Sequence, residues 1–228
     1  MHRPYNGAMP NPGEHHPAFE EYCECIFELR EDDVDVIQAR IADRLRVSRP
    51  SVSEMIKRMT DEGLVRVAGT KITLTAKGQG LAERVVRRHR LAERFLTDML
   101  GLSWAQAHRE AGKWEHVMSS EVEDAMNRVL GSPTTCPHGN PIPGSNYEAP
   151  EAVRLSDVSP GQRFTVSRIP EELEFADGML DFLEMARLLP GCSGTVDSGT
   201  TDNGLVVDVE GRRVVVDSFA TSRILVTV

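Results

Sequence analysis

The prevailing hydrophobic period of the chain changes at a proline-rich stretch. Residues 133–150 hold five prolines, the mark of a linker or a rigid loop, because proline cannot donate to a backbone ladder or continue a helix. Before this stretch apolar residues recur at helical spacing, and after it come short β-prone runs separated by turn residues. One continuous sheet is excluded, and the 228 residues divide into small separate units. With 40% hydrophobic and 27% charged residues each unit can bury a modest core, which excludes a disordered or collagen-like chain.

Residues 1–16 contain three prolines and two glycines with no apolar period, and we read them as a mobile arm. From Pro17, Tyr22, Ile26 and Leu29 fall on one helical face. Ile37, Ile41 and Leu45 do the same in 36–46, and after a break at Val47-Ser48 so do Val52, Met55, Ile56 and Met59. Ser48 is placed to cap the last of these helices, and Pro50 sits in its first turn, where a missing amide hydrogen costs little. LVRVAGTKITLT then reads as a hairpin turning at Gly69-Thr70. Helix, helix, turn, helix and hairpin make a winged helix-turn-helix domain over 17–75.

A long helical pattern runs from Ala76 to about Leu100, followed by two more, Trp104 to Met118 and Ser120 to Leu130. They predict a helical domain over 76–141, with a linker over 142–151. Short strands at 163–168, 194–196, 205–209, 213–217 and 223–228, interrupted by a helix at 177–189, predict a small β-barrel over 152–228. The fold class is mainly α with β.

The net charge of −9 argues against nucleic acid until its distribution is considered. Between Arg40 and Arg58 there are six basic residues (Arg40, Arg44, Arg46, Arg49, Lys57, Arg58) against two acids, whereas from Glu148 onward seven basic residues face fourteen acids. A basic segment in an acidic protein is the electrostatic footprint of phosphate binding confined to one domain. No apolar window is long enough for a membrane helix and the first residues lack a secretory core, so the chain is expected to be cytoplasmic. Cysteines at 23, 25, 136 and 192 are too scattered for a disulfide framework and are expected to be reduced.

Carboxylates and imidazoles at helical spacing carry the chemistry. Glu21 and Glu24 are i, i+3 on the first helix; His89 and Glu93 are i, i+4 on the long helix; Gly112, Glu115 and His116 are i, i+3, i+4 on the next, with His108 two turns before His116. Three helices presenting such groups to one centre would make an oxygen and nitrogen site for a hard or borderline divalent ion. A solvated charged face is the competing reading for any single pair, since Arg87, Arg88, Arg90 and Arg94 crowd His89 and Glu93. Neither a zinc-protease HExxH element nor a Ser-His-Asp arrangement can be drawn from the spacing.

RIADRLRVSRPSVSEMIKRMTDEGLVRV, VVRRHRLAERFL, HREAGKWEHVMS and GSPTTCPHGNPIPG, in this order, resemble the diphtheria-toxin-repressor family of metal-dependent transcriptional repressors over about residues 18–145. The resemblance implies a winged helix on operator DNA, a helical domain that dimerises and binds metal, and an SH3-like barrel. It implies two metal sites per subunit: an ancillary site at His89, Glu93 and His108, and a primary site at Glu115 and His116 completed from the first helix by Glu21 with Glu24. Gly112 stands where the family has Cys or an acid and could coordinate only through its carbonyl. Further ligands fall in EELE, at Glu171 and Glu174 with Glu172 as the alternative register.

A first helix with acids and no soft sulfur donor matches the manganese-responsive members, so Mn(II) is the expected co-repressor and Fe(II) the alternative. A homodimer would set two recognition helices about 34–36 Å apart on a palindromic operator. Ser48, Arg49, Pro50, Ser51, Ser53, Glu54 and Lys57 at the recognition helix, and Arg66 and Lys71 in the wing, are the candidate DNA contacts, with Glu54 also placed to pair with Arg58 at i+4. A metalloenzyme or metal-storage protein could use the same His and Glu cluster, although it would leave the basic winged helix without a use. A barrel that binds a protein segment is a third reading.

Overall fold

The computed structural model describes residues 17–201 and 204–228, so the expected arm over 1–16 lies outside the described residues. Helix α1 (Pro17–Glu31) threads the first core, where Cys23, Ile26 and Leu29 pack with Ile41, Val52, Ile56, Met59 and Ile72. Helix α2 (Gln38–Leu45) stops where Arg46 turns left-handed at φ 53°. Helix α3 (Arg49–Asp61) starts as the sequence predicts, with Ser48 Oγ accepting from the Ser51 amide and Pro50 in the first turn. The wing is β1 (Val65–Ala68) paired antiparallel with β2 (Lys71–Leu74) around Gly69, whose φ of 62° suits the turn.

Helix α4 (Ala76–Asp98) belongs to two cores. Its first half gives Leu81, Ala82 and Val86 to the winged-helix core. Its second half gives Ala92 and Leu96 to a cluster with Ala107 and Ala111 of α5 (Trp104–Trp114) and Met126 of α6 (Ser120–Val129). The sequence pattern ran α5 on to Met118, but the helix ends at Trp114. Ser119 caps α6 by accepting from the Val122 amide, so the chain must turn in the residues between, and Val117 is left 81% exposed. Glu115 keeps helical dihedrals (φ −56°, ψ −37°), which preserves its spacing to Gly112.

The C-terminal domain is a six-stranded antiparallel sheet in the order β3-β8-β4-β5-β6-β7. In chain order its elements are β3 (Val153–Arg154), β4 (Arg163–Arg168), α7 (Glu171–Glu174), α8 (Met179–Met185), β5 (Ser193–Thr201), β6 (Gly204–Val209), β7 (Arg212–Val216), α9 (Ser218–Thr221) and β8 (Leu225–Thr227). The SH3-like barrel expected from the sequence is present, with β3, α7 and α9 added, each too short to show a period. Trp104 of α5 is buried in this domain's core, which ties it to the helical domain.

The first part of the proline-rich stretch is a packed loop and not a tether. Cys136, His138, Asn140 and Ile142 are buried, the Cys136 amide donates to Asn140, and the Ile169 amide of the barrel donates to the His138 carbonyl. The four cysteines are free, and among the described residues no helix is long and apolar enough to cross a membrane.

Two glycines of α4 separate packing from propensity. A Cβ on Gly78 would stand 2.1 Å from the Leu64 carbonyl oxygen, whereas one on Gly80 would meet nothing within 4 Å. Gly80→Ala is therefore expected to stabilise the fold by about 0.5–1 kcal/mol and Gly78→Ala to destabilise it by about 1–3 kcal/mol, measured by urea unfolding.

Candidate metal centre and DNA-contact surface

Two clusters share His89, which α4 carries between them. On one side His89 Nδ1 is 2.5 Å from Glu115 Oε2, His116 Nε2 is 3.2 Å from Glu115 Oε1, and His116 Nδ1 is 2.7 Å from Glu20 Oε2. Glu24, one turn after Glu20, brings a carboxylate oxygen within 4.8 Å of ligand atoms of His89 and Glu115. On the other side His89 Nε2 is 3.1 Å from Glu93 Oε1, and His108 Nδ1 is 2.9 Å from Glu93 Oε1 and 3.2 Å from Glu174 Oε2. His138 Nδ1 lies 2.9 Å from Glu174 Oε2 and 3.5 Å from Glu93 Oε2, with Cys136 Sγ 3.8 Å away.

Of the α1 carboxylates Glu20, Glu24 and Glu28 are buried; Glu20, which the sequence reading did not single out, contacts His116, and the expected Glu24 lies by His89 and Glu115. Glu21 is exposed, as is Gly112, and both line a cavity of about 380 Å³ that also touches Glu24, Glu28, His89, His108 and Glu115. A Cβ on Gly112 would meet open space, so this position gives the cavity room and offers only backbone. The EELE register is clear in the geometry. Glu174 faces His108 and His138, Glu171 is held by Arg90 at 2.9 Å, and Glu172 points away to Arg223 at 2.7 Å.

Glu20, Cys136 and His138, which the sequence does not single out, are brought by the fold to these clusters. For the loop pair a signal exists, since Cys and His two positions apart are ligand types.

Burial opposes the charge on His89 and His138, yet the facing carboxylates outweigh it and hold both imidazoles well above their ordinary pKa. His108 is likewise raised to about 9 by Glu174 and Glu93 against the pull of burial. Glu24 goes the other way: burial, then Glu115 and Glu28, push its carboxyl well above the usual range. Two buried side-chain atoms here, His138 Nε2 and Glu171 Oε2, meet no polar partner among the described residues, while Glu93 Oε2, His116 Nε2 and Glu174 Oε2 meet only the carboxylate–imidazole contacts given above. Buried polar atoms are rarely left unpaired. Buried glutamate oxygens that converge with imidazole nitrogens within 4.8 Å form a donor set that fits divalent cations, and a charged surface face, the competing reading for Glu93, does not describe a side chain that is 0% exposed.

On the winged helix, Ser48, Arg49, Pro50, Ser51, Ser53, Glu54, Lys57, Arg66 and Lys71 are all exposed. The i, i+4 pairing of Glu54 with Arg58 does not form; the Arg58 guanidinium lies 5.3 Å from the Phe19 ring centroid, where an aromatic face offers it partial desolvation. Glu54 therefore stands uncommitted beside Lys57.

Comparison with known proteins establishes the family. Residues 16–72 match the family model described as iron dependent repressor, N-terminal DNA binding domain, and residues 75–144 match iron dependent repressor, metal binding and dimerisation domain. Iron-dependent repressor IdeR of Mycobacterium leprae is 38% identical over 200 residues, covering 82% of this chain and 87% of that protein. Diphtheria toxin repressor of Corynebacterium diphtheriae is 49% identical over 126 residues, covering 55% and 56%. A solved manganese-dependent transcriptional repressor in complex with manganese superposes with a TM-score of 0.81 at 30% identity, covering 92% of this chain and 99% of that one. The relatives are repressors and not enzymes, and the chain belongs to the iron-dependent repressor family of metal-dependent, DNA-binding transcriptional repressors.

Proposed function

We propose that this repressor uses Mn(II) as its co-repressor, bound by Glu20, Glu24, His89, Glu115 and His116, with a second ion at Glu93, His108, Cys136, His138 and Glu174. The observation that carries the metal's identity is the donor set of the first cluster, which is carboxylate and imidazole throughout. Hard oxygen donors suit manganese better than sulfur would. Of the two thiols that flank Glu24, Cys23 is buried in the apolar core and pushed up to about 12 by that burial, and Cys25, which lines the cavity, is likewise raised by burial and by Glu28, so neither is a ready thiolate donor. Fe(II) is the second reading, favoured by Cys136 beside the second cluster.

Bound at the first cluster, a dication supplies the positive charge that buried carboxylates lack. The chain's own residues do the coupling. Glu20 and Glu24 sit on α1, which is part of the winged-helix core, while His89, Glu115 and His116 sit on the helical domain. Drawing these groups together fixes α1, and with it α3, against the helical domain. Any ion that binds this arrangement better than a looser one shifts the population toward it, and DNA then tightens metal binding by the same factor. Met99, Leu100, Val117, Val122 and Val129 of the helical domain are exposed apolar side chains available to a homodimer interface, and the two α3 helices of the dimer would read a palindrome controlling metal-uptake genes.

The direct test incubates metal-free protein anaerobically with sheared DNA of its own genome, with no metal, Mn(II) or Fe(II), and sequences what is retained. A few palindromic sites recovered at lower Mn(II) than Fe(II) concentration are expected; equal recovery without metal would remove the co-repressor role. Glu20→Ala is expected to weaken Mn(II) binding in calorimetry by at least about tenfold and Glu21→Ala by less than about threefold.

Protons compete with the metal. His108, raised to about 9 from 6.5, is protonated in the metal-free protein near neutral pH, so Mn(II) binding must release protons and weaken as pH falls. The stability this proton gives the metal-free fold is fully present below the ordinary histidine pKa and is lost as pH rises through about 9. The melting temperature of the metal-free protein is expected to fall over that window and that of the metal-loaded protein to change less.

A further inference from the structure

Phe175 is the first residue after α7, next to Glu174, and its ring leaves the barrel's apolar core to stand 40% exposed. It meets the His108 ring edge-on, with centroids 5.5 Å apart and planes at 89°. Its face lies 4.6 Å below the guanidinium of Arg44. One aromatic ring of the C-terminal domain thus bridges a side chain of the second cluster and a side chain of α2, the first helix of the helix-turn-helix pair.

The contact with Arg44 is not a casual surface one. The Arg44 side chain is only 5% exposed, pairs with Glu28 of α1 at 3.3 Å, and has its Nη2 buried without a hydrogen-bond partner. A guanidinium stripped of water in this way gains more from a π face than a solvated one does. Two residues further on, Asp177 accepts from Arg46 at 2.8 Å, where α2 ends and two residues before the Ser48 cap of α3. That pair is 71% and 89% exposed and contributes little by itself, so the aromatic contact carries the coupling.

Resting on the metal-switch reading above, we infer that Phe175 is a positioning residue that passes the state of the second cluster to the helix-turn-helix. Glu174 and His108 both belong to that cluster, and Phe175 is bonded to one and packed on the other. Ordering them fixes the ring, and the ring sets where Arg44, and hence α2 and the turn before α3, rests. The residue touches neither bound metal nor DNA in this account. Its role is to raise the DNA affinity of the metal-loaded form over that of the metal-free form.

The test compares wild type, Phe175→Leu, which keeps apolar bulk but loses the π face, and Phe175→Tyr, which keeps the face. Operator affinity is measured for each full-length variant without metal and with saturating Mn(II), and Mn(II) affinity with and without operator. The Leu variant is expected to lose about fivefold or more of the metal-induced gain in operator affinity, with metal-free affinity within about twofold of wild type, and to lose the reciprocal DNA-induced gain in Mn(II) affinity by the same factor. The Tyr variant is expected to restore both. A full gain in the Leu variant, an equal loss in Leu and Tyr, or a loss of DNA affinity that is the same with and without metal would overturn the inference. A wild type with no Mn(II)-induced gain would instead overturn the metal-switch reading on which it rests.

Discussion

Burying carboxylates beside one another is costly, and this chain does so with Glu20, Glu24, Glu28, Glu93, Glu115, Glu171 and Glu174. They come from all three domains and converge where α1, α4, the end of α5 and α7 meet. The charge is met in two ways. Imidazoles held protonated by the neighbouring carboxylates neutralise Glu93 and Glu174, which are kept below the ordinary range despite burial. Carboxyls with fewer partners are raised: Glu24 by burial, then by Glu115 and Glu28, and Glu28 by burial, then by Glu171. The centre is therefore proton-loaded, and at the proposed metal site protons and divalent ions would compete for the same lone pairs.

Arg90 shows how the domains are held around that centre. It is fully buried, donates to both oxygens of Glu31 at the end of α1, to Glu171 of α7 and to the Pro141 carbonyl of the packed loop. Arg168 of β4 adds contacts to Glu31 and Asp32. One buried guanidinium thus ties the winged helix, the long helix, the loop and the barrel, and its planar fork suits such multiple carboxylate contacts better than a lysine would. Removing one partner from a buried charge network costs far more than the network is worth in stability. The arrangement is one in which domain positions and ligand positions cannot change independently.

Much of this was legible in the sequence because it is local. Ser48 and Pro50 announce the start of α3, and the spacings His89 to Glu93 and Gly112 to Glu115 and His116 put ligand types on single helix faces. What was not legible depends on distant partners. Glu20, Glu21 and Glu24 all fit a helix, and the contact of Glu20 with His116, in the turn after α5, is not visible in their spacing. Arg58 leaves Glu54 for a ring on α1. Cys136 and His138 lie on a loop with no period, held by hydrogen bonds to Asn140 and Ile169 that no spacing rule anticipates. The helix α7, four residues long, is too short to register, although it carries Glu171 and Glu174.

The central claim is that filling the centre fixes α1, and through it the winged helix, against the helical domain. Hydrogen exchange of α1 and α2 amides with and without Mn(II), in the absence of DNA, tests it most directly, because it reads the ordering itself. Protection in Pro17–Glu31 is expected to rise on Mn(II) addition in wild type and to stay at its metal-free level in Glu20→Ala. Unchanged protection in α1 while Mn(II) still drives operator binding would contradict the account.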